Sequence, residues 1–228
     1  MTWKCHNEDW LLSSNYAKKL YYSLLLKYKN LYQIQIFSYC LMDNHPHIVG
    51  TCKSQQLFSD FFRVVNSLFA KKMNRYLDRK GQVVMDRFKS INIKTEKQLM
   101  AVMFYNDLNP FRTIKQTSPE AHQWSSHKHY AYGKKDPLIT EAEWYLELGD
   151  SETKRQKRYR ALTKDAMQSK KHSSSPYKIK NKWHYFLGDK PWIKKSYEHI
   201  KIYLKERKNI QQNHRIFLEK QSLAYGIP

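Results

Sequence analysis

The chain has 228 residues, enough to bury the core of one large domain and too many for a short binding peptide. Lysine and arginine outnumber aspartate and glutamate by 41 to 20, which gives a net charge of +21, and aromatic residues make up 14% of the chain. This balance favours a polyanionic partner, and nucleic acid is the leading candidate.

Membrane insertion and secretion are not expected from this sequence. No apolar run approaches the roughly 18 residues that a membrane-spanning helix needs, and the opening MTWKCHNEDW lacks the pattern of a signal peptide. Cys5, Cys40 and Cys52 form neither an even disulfide set nor a CxxC pair, so we expect reduced thiols. We therefore predict a cytoplasmic protein that does not enter a membrane.

The first predicted elements are a helix and a β-hairpin. In SSNYAKKLYYSLLLKYKN the leucines recur at helical spacing behind a serine-rich cap. In YQIQIFSYCLM apolar and polar residues alternate, which predicts a half-buried strand. The Asp43-Asn44 turn favours an antiparallel return strand in HPHIVGTC. Because residues two apart on a strand share a face, His45 and His47 are predicted to point together into one pocket.

A second helix and a third strand follow the hairpin. The run from Gln56 to about Asp78 repeats apolar residues at helical spacing and predicts a long helix that covers the sheet. The segment VVMDRFKSINIK returns to alternation, which predicts a strand from about Val83 to Lys94.

A capping box predicts the start of a third helix. Thr95 is followed three residues later by Gln98, so the helix should begin at Glu96. It should stop near Asn109, because Pro110 disfavours helical geometry in the residue before it. Together the predicted elements describe an α+β domain with an antiparallel sheet.

Beyond Trp124 the patterns weaken and the charge rises. TEAEWYLELGDSETKRQKRYRALTKDAM is predicted to be helical, SKKHSSSPYKIKN to be a basic loop, and IKKSYEHIKIYLKERKNIQQNHRIFLEK to form one or two basic helices. Residues 151–228 carry 20 lysines and arginines against 6 acidic residues. This part of the chain is therefore the predicted electrostatic clamp for nucleic acid.

Four residues have the types and spacing of a metal-dependent phosphodiester site. His45 and His47 can ligate a divalent metal, although two protein ligands are fewer than a catalytic zinc site uses. Tyr105 and Asn109 in VMFYNDLNPFR lie four apart and share one face of the third helix. Asn109 can supply an oxygen ligand and Tyr105 a phenol. On a basic protein, these groups favour a phosphodiester substrate.

Phenol chemistry at neutral pH needs assistance. An ordinary phenol has a pKa near 10, so forming its phenolate at pH 7 costs about 4 kcal/mol. Bound Mg²⁺ or Mn²⁺ can lower the barrier by polarising the scissile phosphate and aligning the 3′-oxygen leaving group. The product would be a 5′-phosphotyrosine link and a free 3′-hydroxyl, which keeps the bond energy for a second strand transfer.

Several of these segments resemble one protein family. LMDNHPHIVG resembles the histidine-hydrophobic-histidine signature of the HUH single-tyrosine transposases, and FYNDLNPFR resembles the Y-I-x-x-N-P-V-R helix of their REP-associated branch. GQVVMDRFKS is similar to a G-x-x-W-x-x-R-F-K-S strand, and HQWSSHKHYAYGKKDPLI to a W-S-S-Y-x-x-Y-x-G segment. The likeness spans about Tyr32 to Lys195. Arg87 and Trp124 match motif positions to which we assign no chemical role at this stage.

This resemblance implies a fold, a site and a function. His45, His47 and Asn109 would be the ligands of Mg²⁺ or Mn²⁺, and Tyr105 the nucleophile. Residues 1–140 would form a catalytic domain with an HUH-endonuclease, ferredoxin-like or RRM-like core, in which helices flank an antiparallel sheet. Residues 141–228 would form a basic, mainly helical extension that contacts DNA. The protein would be a monomeric transposase and single-strand DNA endonuclease at the prokaryotic nucleoid, cleaving and rejoining hairpin-forming, REP-like DNA.

Two other functions stay open. A catalytically degenerate or domesticated relative would bind structured DNA without cutting it. A basic RNA-binding protein with an RRM-like sheet is also conceivable, but no aromatic RNP pattern occurs on the predicted strands. Trp124, Tyr130 and Tyr132 can either stack on unpaired bases or pack beneath the sheet. The histidines other than His45 and His47 are predicted to have surface or structural roles.

Overall fold

A computed structural model describes residues 1–113, 117–168, 186–187, 189–198, 202 and 205. In that part the chain is a mixed α+β structure with a small antiparallel sheet and several helices. The α-helices are α1 (Asn15–Lys29), α2 (Gln55–Tyr76), α3 (Glu96–Leu108), α4 (His127–Tyr132), α5 (Glu143–Leu146) and α6 (Glu152–Gln168), with a further helical stretch at 190–198. The strands are β1 (Gln35–Leu41), β2 (Pro46–Thr51), β3 (Asn92–Ile93) and β4 (Phe186–Leu187). The predicted basic loop and most of the last predicted helices lie outside the described residues.

Strands β1 and β2 form the predicted antiparallel hairpin. The backbone N–H of Met42 donates to the carbonyl of His45 over 3.0 Å, so Asp43 and Asn44 make a two-residue loop. The carboxylate of Asp43 lies 2.7 Å from the Lys18 ammonium, which is buried on α1. This ion pair ties the hairpin loop to the first helix.

Pro46 begins β2 without disturbing the pairing of the hairpin. Along a strand, the N–H groups of residues two apart point to the same side. The N–H of Ile48 donates to the carbonyl of Met1, on the side away from β1. The ring nitrogen of Pro46 therefore faces that side too, and its pairing with Leu41 requires no donor from it. The first residue of a strand is a position where a sheet tolerates proline.

The first residues of the chain add to the sheet beside β2. Thr2 bridges His47 on one side and Lys89 on the other, both in antiparallel orientation. Thr2 and Lys89 exchange backbone hydrogen bonds of 2.9 and 2.7 Å. The N-terminal segment therefore lies between β2 and the chain around Lys89.

The predicted strand from Val83 to Lys94 is wrong for most of its length. Only β3 is a strand, and it pairs with β4 in parallel. Before it, the segment makes isolated bridges at Val84 and Lys89, and bends occur at residues 86 and 87. The alternation of apolar residues indicates that one side of this segment is buried. The bends prevent it from pairing continuously, as a strand would, with the short N-terminal segment.

Two hydrophobic cores lie on opposite faces of the hairpin. Successive residues on a strand face opposite sides, so Ile48 packs into the core that contains α1 and α2, whereas Val49 packs into the core that contains α3. The odd-numbered positions of β2 thus face α3. His47 is one of them, which directs its ring toward the helix that carries Tyr105.

The predicted starts of α1 and α3 are confirmed, and α2 begins at Gln55, one residue before its predicted start. Ser14 and Ser54 cap α1 and α2 by accepting hydrogen bonds from the backbone N–H groups of Ala17 and Leu57. Both hydrogen bonds of the capping box are present at the start of α3. No helix in the described part of the chain is both long and apolar enough to cross a membrane.

Residues on either side of position 140 share the second core. It contains Val102 and Met103 of α3 together with Trp144, Tyr145 and Tyr159. The predicted single helical run after residue 140 is divided into α5 and α6, which are separated by a short turn. The division into domains at 140 stays a prediction.

Candidate functional site

His45 and His47 converge on one side of the sheet. Their ring centroids lie 4.7 Å apart, with the rings at 78°. The side-chain oxygen of Asn44 lies 2.6 Å from His45 Nδ1; a proton on this nitrogen would leave the lone pair of Nε2 free. The Nε2 atom of His47 is buried and has no hydrogen-bond partner. The hairpin thus presents two imidazoles at one place.

Tyr105 approaches this pair from α3. Its ring centroid lies 5.8 Å from that of His47, and the rings meet edge to face at 82°. The Arg112 guanidinium lies 4.9 Å from the centroid of the Tyr105 ring, which is a cation–π distance. Arg112 follows Asn109 and Pro110 in the turn that ends α3. The Asn-Pro ending therefore brings a cation back onto the tyrosine.

A cavity of about 650 Å³ contains three of the four predicted site residues. His45, His47 and Tyr105 line it, and Asn109 does not. The remaining wall is formed by Met1, Thr2, Trp3, Lys4, Glu8, Met85, Asp86, Arg87, Lys89 and Ile91. Arg87, whose motif position has no assigned chemical role, lies in the cavity wall beside the histidines.

Asn109 is buried at the end of α3, one helical turn from Tyr105. Its side-chain Nδ2 atom is buried without a hydrogen-bond partner. Rotating the amide by 180° exchanges Oδ1 and Nδ2, so an acceptor oxygen can occupy the same position. Asn109 stays the predicted third ligand.

The two imidazoles could supply two of the ligands that a divalent cation needs. His47 offers an unpartnered buried nitrogen, and the Asn44 contact is compatible with the His45 tautomer that a metal needs. Within the residues that the structure describes, no group of three or more His, Cys, Asp or Glu side chains could hold a metal ion. An amide oxygen such as that of Asn109, which lies outside the cavity lining, would therefore have to complete the site.

Burial sets the protonation of the histidine pair. Burial and the nearby Lys4 lower the pKa of His45, while Glu8 opposes them. Burial, followed by the charge of His45, lowers the pKa of His47 well below its usual value. Both rings are therefore neutral near pH 7, which is the form that binds metals.

Burial also lowers the pKa of His122, whose Nε2 lies 3.2 Å from the carbonyl of Leu41. Between the lowered pKa of the folded protein and the unfolded pKa of about 6.5, His122 binds more protons in the unfolded chain than in the folded one. The free energy of unfolding therefore decreases as the pH falls below about 6.5. We expect His122→Gln to remove part of the decrease in unfolding free energy between pH 7 and pH 5. The part removed is at most about 1.4 kcal/mol per pH unit. Urea unfolding of both proteins at pH 7, 6 and 5 measures this difference. An identical slope for the variant would contradict the assignment.

The opposite face of α3 carries a buried polar network that the sequence did not reveal. The Tyr159 hydroxyl donates to Asp107 Oδ2 over 2.6 Å, and His127 Nδ1 lies 2.8 Å from the same oxygen. All three side chains are buried. The network connects α3 to α4 and α6, so it fixes the rotation of the helix that presents Tyr105.

The three aromatic residues that were predicted either to stack on bases or to pack beneath the sheet have different environments. Tyr130 is fully buried and its hydroxyl donates to the carbonyl of Phe37 over 2.6 Å, so it packs. Trp124 is partly buried against the first core. Tyr132 is 48% exposed, with the Arg160 guanidinium 5.4 Å from its ring centroid.

Comparison with known proteins gives no relatives: no protein-family model, no curated protein and no solved structure matches the chain. The residues of the site and the motifs of the sequence therefore carry the functional argument.

Proposed function

We propose that the chain is an HUH-type single-tyrosine transposase of the REP-associated branch, which cleaves and rejoins single-stranded, hairpin-forming DNA. The observation that carries this proposal is the meeting of His45, His47 and Tyr105 in one cavity. These residues come from a hairpin and a helix that are far apart in sequence. The motif resemblance names the same three residues as metal ligands and nucleophile.

The chemistry assigned to this site is an exchange of phosphodiester bonds. The Tyr105 hydroxyl attacks the scissile phosphorus and loses its proton, while the bond from phosphorus to the 3′-oxygen breaks and that oxygen gains a proton. The products are a 5′-phosphotyrosine and a free 3′-hydroxyl, and attack by another 3′-hydroxyl reverses the step and joins new ends. A Mg²⁺ or Mn²⁺ ion held by His45, His47 and Asn109 would polarise the phosphate and stabilise the leaving oxygen.

The cations of the cavity wall suit a phosphate backbone. Lys4, Arg87 and Lys89 line the cavity together with Tyr105. Lys4 is paired with Glu8 at 2.5 Å, whereas Arg87 and Lys89 form no ion pair with any described residue. We assign Arg87 and Lys89 to the phosphates that flank the scissile bond, because unpaired cations gain most from releasing the counterions of DNA.

The recessed position of the site favours an unpaired strand. His47 is only 7% exposed and Tyr105 is partly buried, so the scissile phosphate has to enter the cavity. A single strand can bend its backbone so that one phosphate enters such a cavity, whereas the stacked base pairs of a duplex hold its backbone in a stiffer, wider helix. Residues 151–228 would strengthen binding of the same DNA by electrostatic attraction. A monomer at the prokaryotic nucleoid would suffice for this activity.

The test is covalent capture of a labelled hairpin oligonucleotide. The protein is incubated with the DNA and Mg²⁺ or Mn²⁺, and the products are separated under denaturing conditions. We expect a shifted protein–DNA adduct that forms with either ion. It should not form when a chelator is present from the start of the incubation. DNA that is nicked but never attached to protein would contradict the tyrosine mechanism.

The second candidate is a degenerate relative that binds structured DNA without cutting it. Two observations favour it: Asn109 does not line the cavity, and the described residues include no group of three His, Cys, Asp or Glu side chains able to hold a metal. Tight hairpin binding without any adduct under either metal would select this function. Competition between DNA and RNA hairpins of equal length tests the remaining RNA-binding function, which predicts a preference for RNA.

A further inference from the structure

An exposed pair of stacked tyrosines lies where the start of α1 meets the end of α2. The ring centroids of Tyr16 and Tyr76 lie 4.0 Å apart at 22°, and the residues are 43% and 55% exposed. Stacked aromatic rings usually bury most of their surface. This pair, here called the tyrosine platform, instead offers a flat apolar surface to solvent.

Unpaired cations surround the tyrosine platform. Lys19 follows Tyr16 by three residues on α1, and Lys72 precedes Tyr76 by four on α2, so each lysine neighbours its tyrosine on the helix surface. Four further cations lie around the end of α2: Lys71, Arg75, Arg79 and Lys80. Apart from Arg79, which donates to the carbonyl of Gln82, none of these side chains has a charged or hydrogen-bonding partner in the described part of the chain.

In the first half of α2, by contrast, a cation has an acidic partner. Arg63 is paired there with Asp60 at 3.1 Å, so its charge is already compensated within the helix. At the end that bears the tyrosine platform, Asp78 is the one acidic residue between positions 71 and 80. The positive charge beside the platform is therefore available to an external anion.

Stacking surfaces flanked by free cations match unpaired nucleic acid. Every base has a π-face that can stack on an aromatic ring, and the phosphates between bases meet the cations. A duplex would satisfy the lysines but would keep its bases stacked on one another, out of reach of the platform. The combination therefore favours a single strand over a duplex.

The chain leads directly from the tyrosine platform to the cavity. Lys80 and Arg87 are seven residues apart, a distance of at most about 25 Å for an extended chain. Asn74 of α2 donates to the carbonyl of Gly81 over 2.8 Å, which fixes the start of this connection. A single strand that spans about this distance is therefore long enough to reach from the cations beside the platform to those of the cavity wall.

We propose that the tyrosine platform, with Lys19 and Lys72, is a second nucleic-acid site that stacks unpaired bases of the strand whose phosphate enters the cavity. The identification of that strand as the cleaved DNA rests on the proposed function. The stacking itself does not, because it requires only that the protein bind a single strand.

The test compares binding of a fluorescent single-stranded 20-mer and of a duplex of the same length by anisotropy. A Tyr16→Ala/Tyr76→Ala double variant should bind the single strand about ten-fold or more weakly and change little toward the duplex. A Tyr16→Phe/Tyr76→Phe variant keeps both rings and should bind like the wild type. Lys19→Gln should weaken binding and lower its salt dependence, whereas Lys27→Gln, on the same helix, should do neither. Circular dichroism checks that each variant is folded.

The outcomes separate this inference from the proposed function. Stacking that depends on the platform in a protein that forms no covalent adduct supports the inference and refutes the cleavage proposal. Adduct formation with unchanged single-strand binding by the alanine variant refutes the inference alone. An equal loss of binding for single strand and duplex, or no binding of single strands by the wild type, overturns it as well.

Discussion

Replacing Tyr105 by phenylalanine should abolish covalent capture of the hairpin DNA while leaving its binding unchanged. The variant loses only the phenol oxygen, and the ring can keep its contacts with His47 and with the Arg112 guanidinium. Removing a catalytic nucleophile costs at least about 10³-fold in rate, so the adduct should fall below detection. Denaturing gels measure the adduct, and anisotropy measures binding.

The matched control for this variant is Tyr132→Phe. Tyr132 is also partly exposed and also has an arginine over its ring, but it does not line the cavity. It should form the adduct at the wild-type rate. Adduct formation by the Tyr105 variant at that rate would remove Tyr105 from its assigned role.

Replacing Asp107 by alanine should be among the most destabilising single changes in the chain. The carboxylate holds both the Tyr159 hydroxyl and His127 Nδ1, and all three groups are buried. Its removal leaves two buried polar groups without their partner, which costs about 3 kcal/mol of unfolding free energy. Denaturant unfolding measures the loss. The variant should also form the adduct more slowly, because the network holds α3 in place.

Asp150→Ala is the control for this prediction. Asp150 pairs with Lys154 at 2.8 Å, but both side chains are mostly exposed, so the pair contributes little. The unfolding midpoint of this control should stay close to that of the wild type. A similarly small effect for Asp107→Ala would mean that the buried network does not stabilise the fold.

The parts of the fold that depend on neighbours in sequence were predicted well. The capping box at Thr95 and Gln98 is built within one helical turn, so four residues suffice to place the start of α3. The hairpin is equally local, because the Asp43-Asn44 loop and the alternation of the two strands fix its register. The convergence of His45 and His47 follows from that register.

The predicted strand at Val83–Lys94 shows where local patterns are not enough. Its neighbour is the N-terminal segment around Thr2, which lies more than eighty residues away in sequence. Nothing in the pattern near Val83 indicates such a short and distant partner. The same arrangement brings Lys4, Glu8 and Arg87 to the wall of the cavity, so these members of the site could not be predicted either.

The buried network on α3 was missed for a related reason. Asp107, His127 and Tyr159 come from three helices, and no spacing in the sequence connects them. A polar residue in a helix is generally predicted to face solvent, whereas Asp107 is buried, with its Oδ2 atom held by Tyr159 and His127. Tyr105, two residues away, could be predicted because the Asn-Pro motif marks its helix.

The most direct test of the site is a crystal structure of the protein soaked with Mn²⁺, with the ion located by its anomalous scattering. We expect one peak in the cavity, within coordination distance of a ring nitrogen of His45 and of His47, on the side that faces Tyr105. The same map would show whether Asn109 is the oxygen ligand. An empty cavity at a Mn²⁺ concentration that saturates any activity, or an ion bound away from both histidines, would contradict the account.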